Sequence, residues 1–368
     1  MKLLFFAVTK HQYRYFGNLL EHLPFEGKRL FFPSLRLSFG GLKLLSKIDT
    51  EFILAIKYHE IEAKYRNSLH KAFYKKLLQL QTYWVSMVVY NALNRYQPDY
   101  LIVWNGKKFH QAIAVEIAKL LQIQSVFFEN GVLPNTTTMD FQGVNATNSV
   151  PRKTEFYRGL DYSDRTLPQN LEVRVAKREQ KQFETVLPKR YIFVPFQVAY
   201  DTQIIQHSPW IQDMFVLFEI IEWLWEQLDI AFVIKEHPSD RVSDYSILHQ
   251  KISDKIHFSS ENTQTLIENA AVVMTINSSV AMESLLFKKR VLVLGEAFFA
   301  IEGLVKTADS REKILTILQN IETWQVDETL IHNFVSYLYY DYLIPTNWRH
   351  PDEAHYQAIA QRLEEHLC

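Results

Sequence analysis

Tyr191-Ile192-Phe193-Val194-Pro195-Phe196 is a short apolar run rich in β-branched and aromatic residues, which is typical of a buried strand. Similar runs follow at residues 230–235, 271–276 and 290–294. Segments with helical patterning separate these runs, at residues 209–227, 263–269 and 280–287. Strands that alternate with helices at this spacing predict a parallel sheet with helices on both faces.

The first half of the chain repeats this alternation less regularly. Strands are predicted at residues 3–8, 100–104 and 125–128. Helical segments are predicted at about residues 51–96 and at 109–121. Both halves are therefore expected to be open α/β units.

A charged segment between the two halves marks the predicted domain boundary, because it has few strand signals and one predicted helix at 170–184. We predict a first domain at residues 1–185, a second at 186–335 and a C-terminal tail at 336–368. The tail, whose last helix is predicted at 352–367, has no partner strand in the second sheet. We expect it to pack back across the domains.

Composition and charge exclude several classes of protein. The 368 residues carry 40 Lys and Arg against 41 Asp and Glu, a net charge of -1, so no overall basic field can hold a nucleic acid. The ten glycines form neither a dinucleotide fingerprint nor a P-loop. Cys368, the single cysteine, allows no intramolecular disulfide and no cysteine-based zinc site.

No segment of the sequence predicts a membrane anchor. A bilayer-spanning helix needs about 20 apolar residues, and no window of the chain approaches that length. The apolar run at residues 3–8 is too short for the core of a secretion signal and is better explained as a buried strand. We therefore expect a cytoplasmic protein that is soluble or attached to a membrane surface.

Polar and ionisable residues follow four of the predicted strands, and ligands of open α/β sheets bind beyond the carboxyl ends of strands. These groups are Glu129-Asn130-Gly131, Gln197 to Thr202, Lys235-Glu236-His237-Pro238 and Asn277-Ser278-Ser279. The chain has no DxD or HExxH motif and no tight cluster of His and Asp, so no metal site is predicted.

Asn277-Ser278-Ser279 combines small hydroxyl residues with the start of a predicted helix. Backbone N–H groups, hydroxyls and the helix dipole at such a junction can bind a phosphate, but the same residues can simply cap the helix. Glu283 lies on the same helical face one turn later. Its carboxylate can accept a hydrogen bond from a ribose hydroxyl or from its own helix.

Two carboxylates and one histidine are candidates for catalysis. His237, at a strand end before Pro238, can donate to a phosphate or move a proton, although a structural histidine is the commoner case. Asp201 and Glu129 follow apolar strands in different halves of the chain. Glycosyl transfer with retention requires a nucleophilic carboxylate and an acid or base, whereas most acidic loop residues are simply solvated.

Short motifs follow one another in a fixed order from about residue 101 to residue 299. They are Trp104-Asn105-Gly106, Phe128-Glu129-Asn130-Gly131, Pro134, Asp140, Gly143-Val144-Asn145, Ser149-Val150-Pro151-Arg152, Pro195-Phe196-Gln197-Val198, Asp201-Thr202-Gln203-Ile204, His237-Pro238, Asn277-Ser278-Ser279, Glu283 and Val293-Leu294-Gly295. This series resembles the bacterial capsule polysaccharide biosynthesis family, the retaining β-Kdo glycosyltransferases that build the oligo-Kdo linker on a phospholipid for capsule export. The chain has room for one such module, as in the type that initiates the linker.

The resemblance implies a glycosyltransferase B-like protein, in which two Rossmann-like domains face across the cleft that holds the active site, and CMP-Kdo as donor. It implies Asp201 as the nucleophile, Glu129 as a second catalytic carboxylate, and His237, Ser278 and Ser279 as contacts of the donor phosphate. His237 is also a catalytic candidate. Further candidate contacts of the donor at the same strand ends are Gln197, Lys235, Pro238, Asn277 and Glu283. Related enzymes often carry proline where Val198 stands, so no specific role is implied for Gln197.

The implied chemistry needs no metal ion or other cofactor, because hydroxyls, a histidine and a helix N-terminus can stabilise a single leaving phosphate. Besides CMP-Kdo, the implied partners are a glycolipid or phospholipid acceptor, components of capsule assembly and export, and the inner face of the bacterial inner membrane. No nucleic acid is expected. The predicted membrane contacts, which can equally be a solvated helix face, are Lys71, Lys75, Lys76, Lys107 and Lys108.

Two other functions are compatible with the sequence. An inverting transferase or an epimerase of nucleotide sugars can use the same two-domain scaffold, because fold does not fix function. A non-catalytic component of capsule export would bind a glycolipid or a partner without turnover. Transfer of Kdo from CMP-Kdo with release of CMP distinguishes the first interpretation from both others.

Overall fold

The computed structural model describes residues 1–366 except 66, 173–181, 184, 185 and 241. Its contacts divide the chain into two compact units. The first comprises Met1–Gly131, Asn135–Ser149 and Tyr342–Cys368, and the second comprises Val132–Pro134 and Val150–Asp341. Most of the helix predicted at 170–184 lies outside the described residues.

Six strands form one sheet in the described part of the first unit. In chain order they are β1 (Lys2–Ala7), β2 (Glu26–Phe31), β3 (Tyr100–Trp104), β4 (Gln124–Asn130), β5 (Thr136–Asp140) and the late strand β12 (Ile344–Pro345). Their spatial order is β12, β5, β4, β3, β1, β2. Strands β1 to β4 pair in parallel, whereas β5 is antiparallel to both β4 and β12.

Six strands also form the sheet in the described part of the second unit. They are β6 (Tyr191–Pro195), β7 (Ala231–Lys235), β8 (Ile256–Phe258), β9 (Val272–Thr275), β10 (Val291–Val293) and β11 (Lys306–Thr307). All of them pair in parallel, in the spatial order β8, β7, β6, β9, β10, β11. This is the strand order of a Rossmann fold, and the direction of winding reverses between β6 and β9. The predicted α/β class with Rossmann-like sheets is confirmed.

The helices surround the two sheets. In the first unit they are α1 (Lys10–His22), α2 (Gly40–Leu45), α3 (Thr50–Lys64), α4 (Ser68–Tyr96), α5 (Phe109–Leu120) and the final α14 (Glu353–Glu365). In the second unit they are α6 (Thr154–Arg158), α7 (Thr202–His207), α8 (Met214–Trp225), α9 (Ser246–His249), α10 (Thr263–Asn269), α11 (Val280–Leu286), α12 (Arg311–Gln319) and α13 (Glu328–Tyr337). Single turns of helix occur at Asn145–Thr147, Ile321–Thr323 and Leu338–Tyr342.

Each sheet is buried on both faces, which explains the continuous apolar runs in its strands. On β6, Ile192 and Val194 belong to one core cluster, and Tyr191 and Phe193 belong to another. The two clusters lie on opposite faces because successive side chains of a strand alternate. In the first unit β1 is divided between two clusters in the same way.

The segment predicted as helical at about residues 51–96 is two helices with a break between them. Asn67 begins the second helix, where its side chain accepts hydrogen bonds from the N–H groups of Leu69 (2.8 Å) and His70 (3.3 Å). An asparagine in this position satisfies N–H groups that have no partner inside the helix. The break therefore has a local cause in the sequence.

The second unit begins earlier than the predicted boundary at residue 185, because residues from Val150 onwards belong to it. Helix α6 packs against α13, and the buried ring of Tyr157 lies 5.0 Å from that of Phe334. The side-chain amide of Asn333 donates to the carbonyl of Tyr157 at 3.0 Å. These contacts join residues 150–160 to the second sheet's helices before the charged segment begins.

The C-terminal tail returns to the first unit at Tyr342, six residues after the predicted start of the tail at 336. There α14 places Ile359 and Leu363 in the same core cluster as Phe5 of β1. Strand β12 adds to the first sheet beside β5. Among the described residues, the strand of the tail pairs in the first sheet and not in the second.

Candidate functional site

The carboxyl edge of the second sheet carries the candidate donor-binding residues. Gln197 follows β6, His237 follows β7, and Asn277 follows β9. Because these three strands are adjacent and parallel, their carboxyl ends lie at the same edge. The structure therefore gathers these three groups of predicted residues at the point where the winding of the sheet reverses.

Gln197 joins the two strands at this reversal point. Its buried side chain donates from Nε2 to Asn277 Oδ1 at 2.9 Å. Its Oε1 accepts from the Asn277 N–H at 3.1 Å and from the Thr275 hydroxyl at 3.2 Å. The side-chain amide of Gln197 thus pairs with both the backbone N–H and the side-chain oxygen of Asn277, and it joins the end of β9 to the end of β6.

Asn277 is held from its other side as well. Its Nδ2 donates to the carbonyl oxygens of Gln203 (3.0 Å) and His207 (3.1 Å), both in α7. Since both amide hydrogens and the carbonyl oxygen are engaged, the orientation of the side chain is determined by its partners. Asn277, predicted as a donor contact, is buried in this structure, and its side chain is held by Gln197, Gln203 and His207.

The two serines that follow Asn277 differ in how they contribute to the start of α11. Ser278 Oγ accepts from the Val280 N–H at 3.2 Å, so this hydroxyl satisfies one N–H of the first turn of α11. Ser279 is the N-cap residue but makes no side-chain capping bond. Glu283, one turn later, is buried, and its N–H donates to Ser279 O at 3.2 Å. The capping interpretation thus applies to Ser278 and not to the side chain of Ser279.

His237 is oriented by the loop that follows β7. Its Nδ1 accepts from the Ser239 N–H at 3.0 Å, which in the neutral ring leaves the proton on Nε2. The buried carboxylate of Asp240 accepts from the N–H groups of Val242 (3.0 Å) and Ser243 (3.1 Å). Asp240 was not among the predicted site residues, although an Asp after Pro and Ser is typical of such turns.

Tyr245 completes the anchor of this loop. Its hydroxyl donates to Asp240 Oδ2 at 3.2 Å, and burial raises the pKa of the phenol well above its ordinary value of 10.0. The Tyr245 ring also contacts that of Phe196, at the end of β6, with centroids 5.3 Å apart. The loop that carries His237 is therefore fastened to the core at its far end.

The charged residues before His237 are engaged in contacts of their own. Lys235 Nζ donates to the carbonyl of Glu261, which draws this candidate donor contact to the β8 side of the sheet. Glu236 accepts from His249 Nε2 at 2.6 Å, and both side chains are largely buried. Pro238 follows His237 and is part of the turn closed by the Asp240 N–H on His237 O.

Asp201 lies in the loop between β6 and α7 and is exposed. It is the N-cap residue of α7, and its Oδ1 accepts from the Gln203 N–H at 2.9 Å. Its Oδ2 accepts no hydrogen bond from the described residues. The predicted nucleophile therefore has one oxygen fixed by the backbone and one available to a ligand.

Glu129 belongs to the first unit. It lies within β4, whereas the sequence predicted that it follows the end of that strand. Its Oε2 accepts from Asn105 Nδ2 at 2.7 Å, and its Oε1 accepts from the backbone and side-chain N–H groups of Asn130 at 2.9 and 2.8 Å. Asn105 has a positive φ of 69° directly after β3. The two motifs that contain these residues therefore meet at the carboxyl ends of β3 and β4.

Two of the predicted membrane contacts have another partner. Lys71 and Lys75 both form ion pairs with Glu62, at 2.5 and 2.7 Å. Lys76 and Lys108 are exposed. No helix in the described residues is both long and apolar enough to cross a bilayer.

One cavity lies beside β10, and the described residues contain no group of side chains suited to a metal ion. Among the described residues, no three His, Cys, Asp or Glu side chains gather as a metal ion would require. A cavity of about 500 Å³ lies by Arg290, which precedes β10, and Trp324. Arg290 Nε donates to Trp324 O at 2.7 Å, and the Lys306 ammonium lies 4.7 Å from the Trp324 ring.

Comparison with solved structures supports the fold. Over the full length of both chains, the structure is similar to the Thermosulfurimonas dismutans KpsC, beta Kdo 2,7 transferase, with a TM-score of 0.51 and 14% sequence identity. At this level of identity the similarity concerns the arrangement of the chain. It agrees with the predicted pair of Rossmann-like domains.

Comparison with protein sequences establishes the family. Protein FixF of Sinorhizobium fredii is 34% identical over 293 residues, which cover 78% of this chain and 71% of that protein. Capsule polysaccharide export protein KpsS of Escherichia coli is 26% identical over 250 residues, which cover 51% of this chain and 64% of that protein. The family model described as capsule polysaccharide biosynthesis protein matches residues 161–344, half of the chain. This protein is a member of the capsule polysaccharide biosynthesis family.

Proposed function

We propose that this protein is a retaining glycosyltransferase that moves Kdo from CMP-Kdo to a phospholipid, lysophospholipid or oligo-Kdo acceptor during synthesis of the capsule linker. Its place of action in this proposal is the inner face of the bacterial inner membrane, to which it attaches peripherally. Family membership and the fold shared with a Kdo transferase support a role in sugar transfer. The observation that carries the proposal is the set of hydroxyl and imidazole groups at the reversal point of the second sheet.

These groups suit a single phosphate. Ser278 accepts a backbone N–H through its oxygen, so its hydroxyl hydrogen can point to a ligand. His237 accepts a backbone N–H at Nδ1, which assigns the proton of the neutral ring to Nε2. Both side chains therefore meet a ligand as hydrogen-bond donors, and donors stabilise the charge that develops on a departing phosphate. The proposed donor needs no metal ion for this step.

Asp201 is the proposed nucleophile. Its Oδ2 attacks the anomeric carbon of the donor, the bond from that carbon to the phosphate oxygen breaks, and CMP leaves with the bonding electron pair. The acceptor hydroxyl then displaces Asp201 from the same carbon and loses its proton to a base, for which Glu129 is the proposed residue. Two inversions at one carbon give net retention.

The test is transfer by the purified protein. Incubation with CMP-Kdo and a lysophospholipid should release CMP and yield a lipid product whose new linkage has the β configuration by nuclear magnetic resonance. A product of inverted configuration would replace the retaining mechanism by an inverting one. Binding of the lipid with no release of CMP from CMP-Kdo would instead indicate a non-catalytic component of capsule export.

A further inference from the structure

A row of large apolar side chains lies exposed along α4. The exposed fractions are 77% for Leu69, 64% for Phe73, 61% for Leu80 and 52% for Tyr83. At 3.6 residues per turn, these four positions fall within about 80° of the helix circumference. We call these four residues the α4 stripe. Exposed apolar residues on a soluble surface are usually scattered, so a row of this kind indicates a binding surface.

The segment before α2 extends the same surface. Leu35 and Phe39 are 87% and 80% exposed. The segment lies along α4, since Trp84 Nε1 donates to Ser34 O at 2.8 Å and the Ser38 N–H donates to Met87 O at 3.2 Å. From Leu69 to Met87 the helix is about 27 Å long at 1.5 Å per residue. The apolar surface is therefore long and belongs to one unit of the protein.

The segment of the chain that forms this surface carries a net positive charge. Residues 34–96 contain ten Lys and Arg but four Asp and Glu, a net charge of +6 in a chain whose total is -1. Arg36, Lys43, Lys47 and Lys76 are exposed and form no ion pair with any described residue. Lys76 lies on the arc of the α4 stripe, whereas Lys71 and Lys75 turn towards Glu62.

We infer that the α4 stripe and the segment with Leu35 and Phe39 dock on an anionic lipid bilayer, with the apolar side chains in the interface and the cations on lipid phosphates. A second copy of the chain fits this surface poorly, because two segments that each carry a net charge of +6 would meet. The inference deepens the peripheral location in the proposed function and rests on it for the choice of a membrane. Vesicle binding and CMP binding are separate measurements, so either can fail alone.

The test is co-sedimentation of the full chain with vesicles of phosphatidylcholine, with and without phosphatidylglycerol. We expect binding that requires phosphatidylglycerol and weakens as salt is added. The triple variant Leu69→Gln, Phe73→Gln and Leu80→Gln should bind about tenfold or more weakly, because binding scales with the buried apolar area. Lys76→Gln should bind about fivefold more weakly, the equivalent of one basic contact.

Ile247→Gln in α9 is the matched control, because Ile247 is an apolar residue of similar exposure, 58%, in the other unit. It should bind vesicles as the unchanged protein does. All replaced side chains are exposed, so circular dichroism and the melting temperature should be unaffected. CMP affinity, measured by calorimetry on the same samples, should also be unchanged.

Three results would overturn the inference. They are wild-type binding of anionic vesicles by the triple variant, equal binding of the unchanged protein to both kinds of vesicle, and no binding to either kind. A dimer of the unchanged protein that the triple variant loses, with vesicle binding unaffected, would assign the surface to a second copy. Absence of CMP binding by the unchanged protein would count against the proposed transferase only.

Discussion

Gln197 provides the sharpest test of how the candidate site is built. The change Gln197→Leu keeps most of the side-chain volume and removes all three hydrogen bonds of the amide. Asn277 Oδ1 and the Asn277 N–H then lose their partner in a buried place. Each orphaned group costs about 1–3 kcal/mol, so we expect the second unit to lose roughly 2–5 kcal/mol of stability.

The same change should weaken nucleotide binding. Asn277 directly precedes Ser278 and Ser279, so a shift of its backbone displaces the hydroxyls proposed to bind the phosphate. A loss of about 1.4 kcal/mol in the complex corresponds to tenfold weaker binding. Urea unfolding followed by fluorescence measures the stability, and calorimetry measures the affinity for CMP. Gln319→Leu, on the exposed face of α12, is the control and should change stability by less than about 0.5 kcal/mol.

The variant Gln197→Glu removes the hydrogen-bond donor of the side chain and keeps its acceptor. A carboxylate still accepts from Asn277 and Thr275, but it faces Asn277 Oδ1 without a hydrogen. Asn277 cannot turn round, because its Nδ2 is held by two carbonyl oxygens. Protonation restores a donor, so the stability deficit relative to the unchanged protein should shrink as the pH falls toward about 4.3. If Gln197→Leu changes neither the urea midpoint nor the CMP affinity, the hydrogen bonds of Gln197 to Asn277 and Thr275 do not support the candidate site.

The remaining predictions concern one histidine and the proposed catalytic groups. Burial, with a smaller effect of a nearby lysine, lowers the pKa of His110 from 6.5 to about 4, so between these values the unfolded chain binds the extra proton. The free energy of unfolding should therefore fall by up to about 3 kcal/mol as the pH drops from 6.5 to 4. In urea titrations, His110→Gln should reduce this pH dependence, and the exposed control His350→Gln should not. Joint replacement Ser278→Ala and Ser279→Ala should weaken CMP binding in calorimetry while the fold persists, and unchanged affinity would contradict the assignment. Asp201→Asn should abolish Kdo transfer and leave CMP binding intact. Mass spectrometry of the unchanged enzyme with donor should show an adduct of one Kdo on the peptide that contains Asp201. An active Asp201→Asn variant would rule out Asp201 as the nucleophile.

The sequence predicted best those strands that are buried on both faces. A strand such as β6 is a continuous apolar run, because both of its faces meet core residues. Strand β2 was missed because it lies at the edge of the first sheet and reads Glu-Gly-Lys-Arg-Leu-Phe, with few apolar residues. Strand β5 was missed because its run of threonines lacks the large apolar side chains that mark a core strand.

The sequence also located the residues of the candidate site but not their contacts. The rule that ligands lie beyond the carboxyl ends of strands was enough to select Gln197 and Asn277 separately. Their hydrogen bond joins positions 80 residues apart and depends on β6 lying beside β9. Strand order is a property of the folded sheet, so no local pattern could show that one side chain positions the other.

Three of the strand-end residues share one local geometry. Ser278, His237 and Asp201 each accept a hydrogen bond from the backbone N–H two residues later, at 3.2, 3.0 and 2.9 Å. This bond uses an acceptor of the side chain, so it does not engage the hydrogen of the Ser278 hydroxyl or, in a neutral ring, the Nε2 hydrogen of His237. In Asp201 the bond engages Oδ1, and the other oxygen, Oδ2, is the atom that we propose as the nucleophile. In the proposed mechanism the first two groups donate to the departing phosphate, and the carboxylate of Asp201 attacks the electron-poor anomeric carbon.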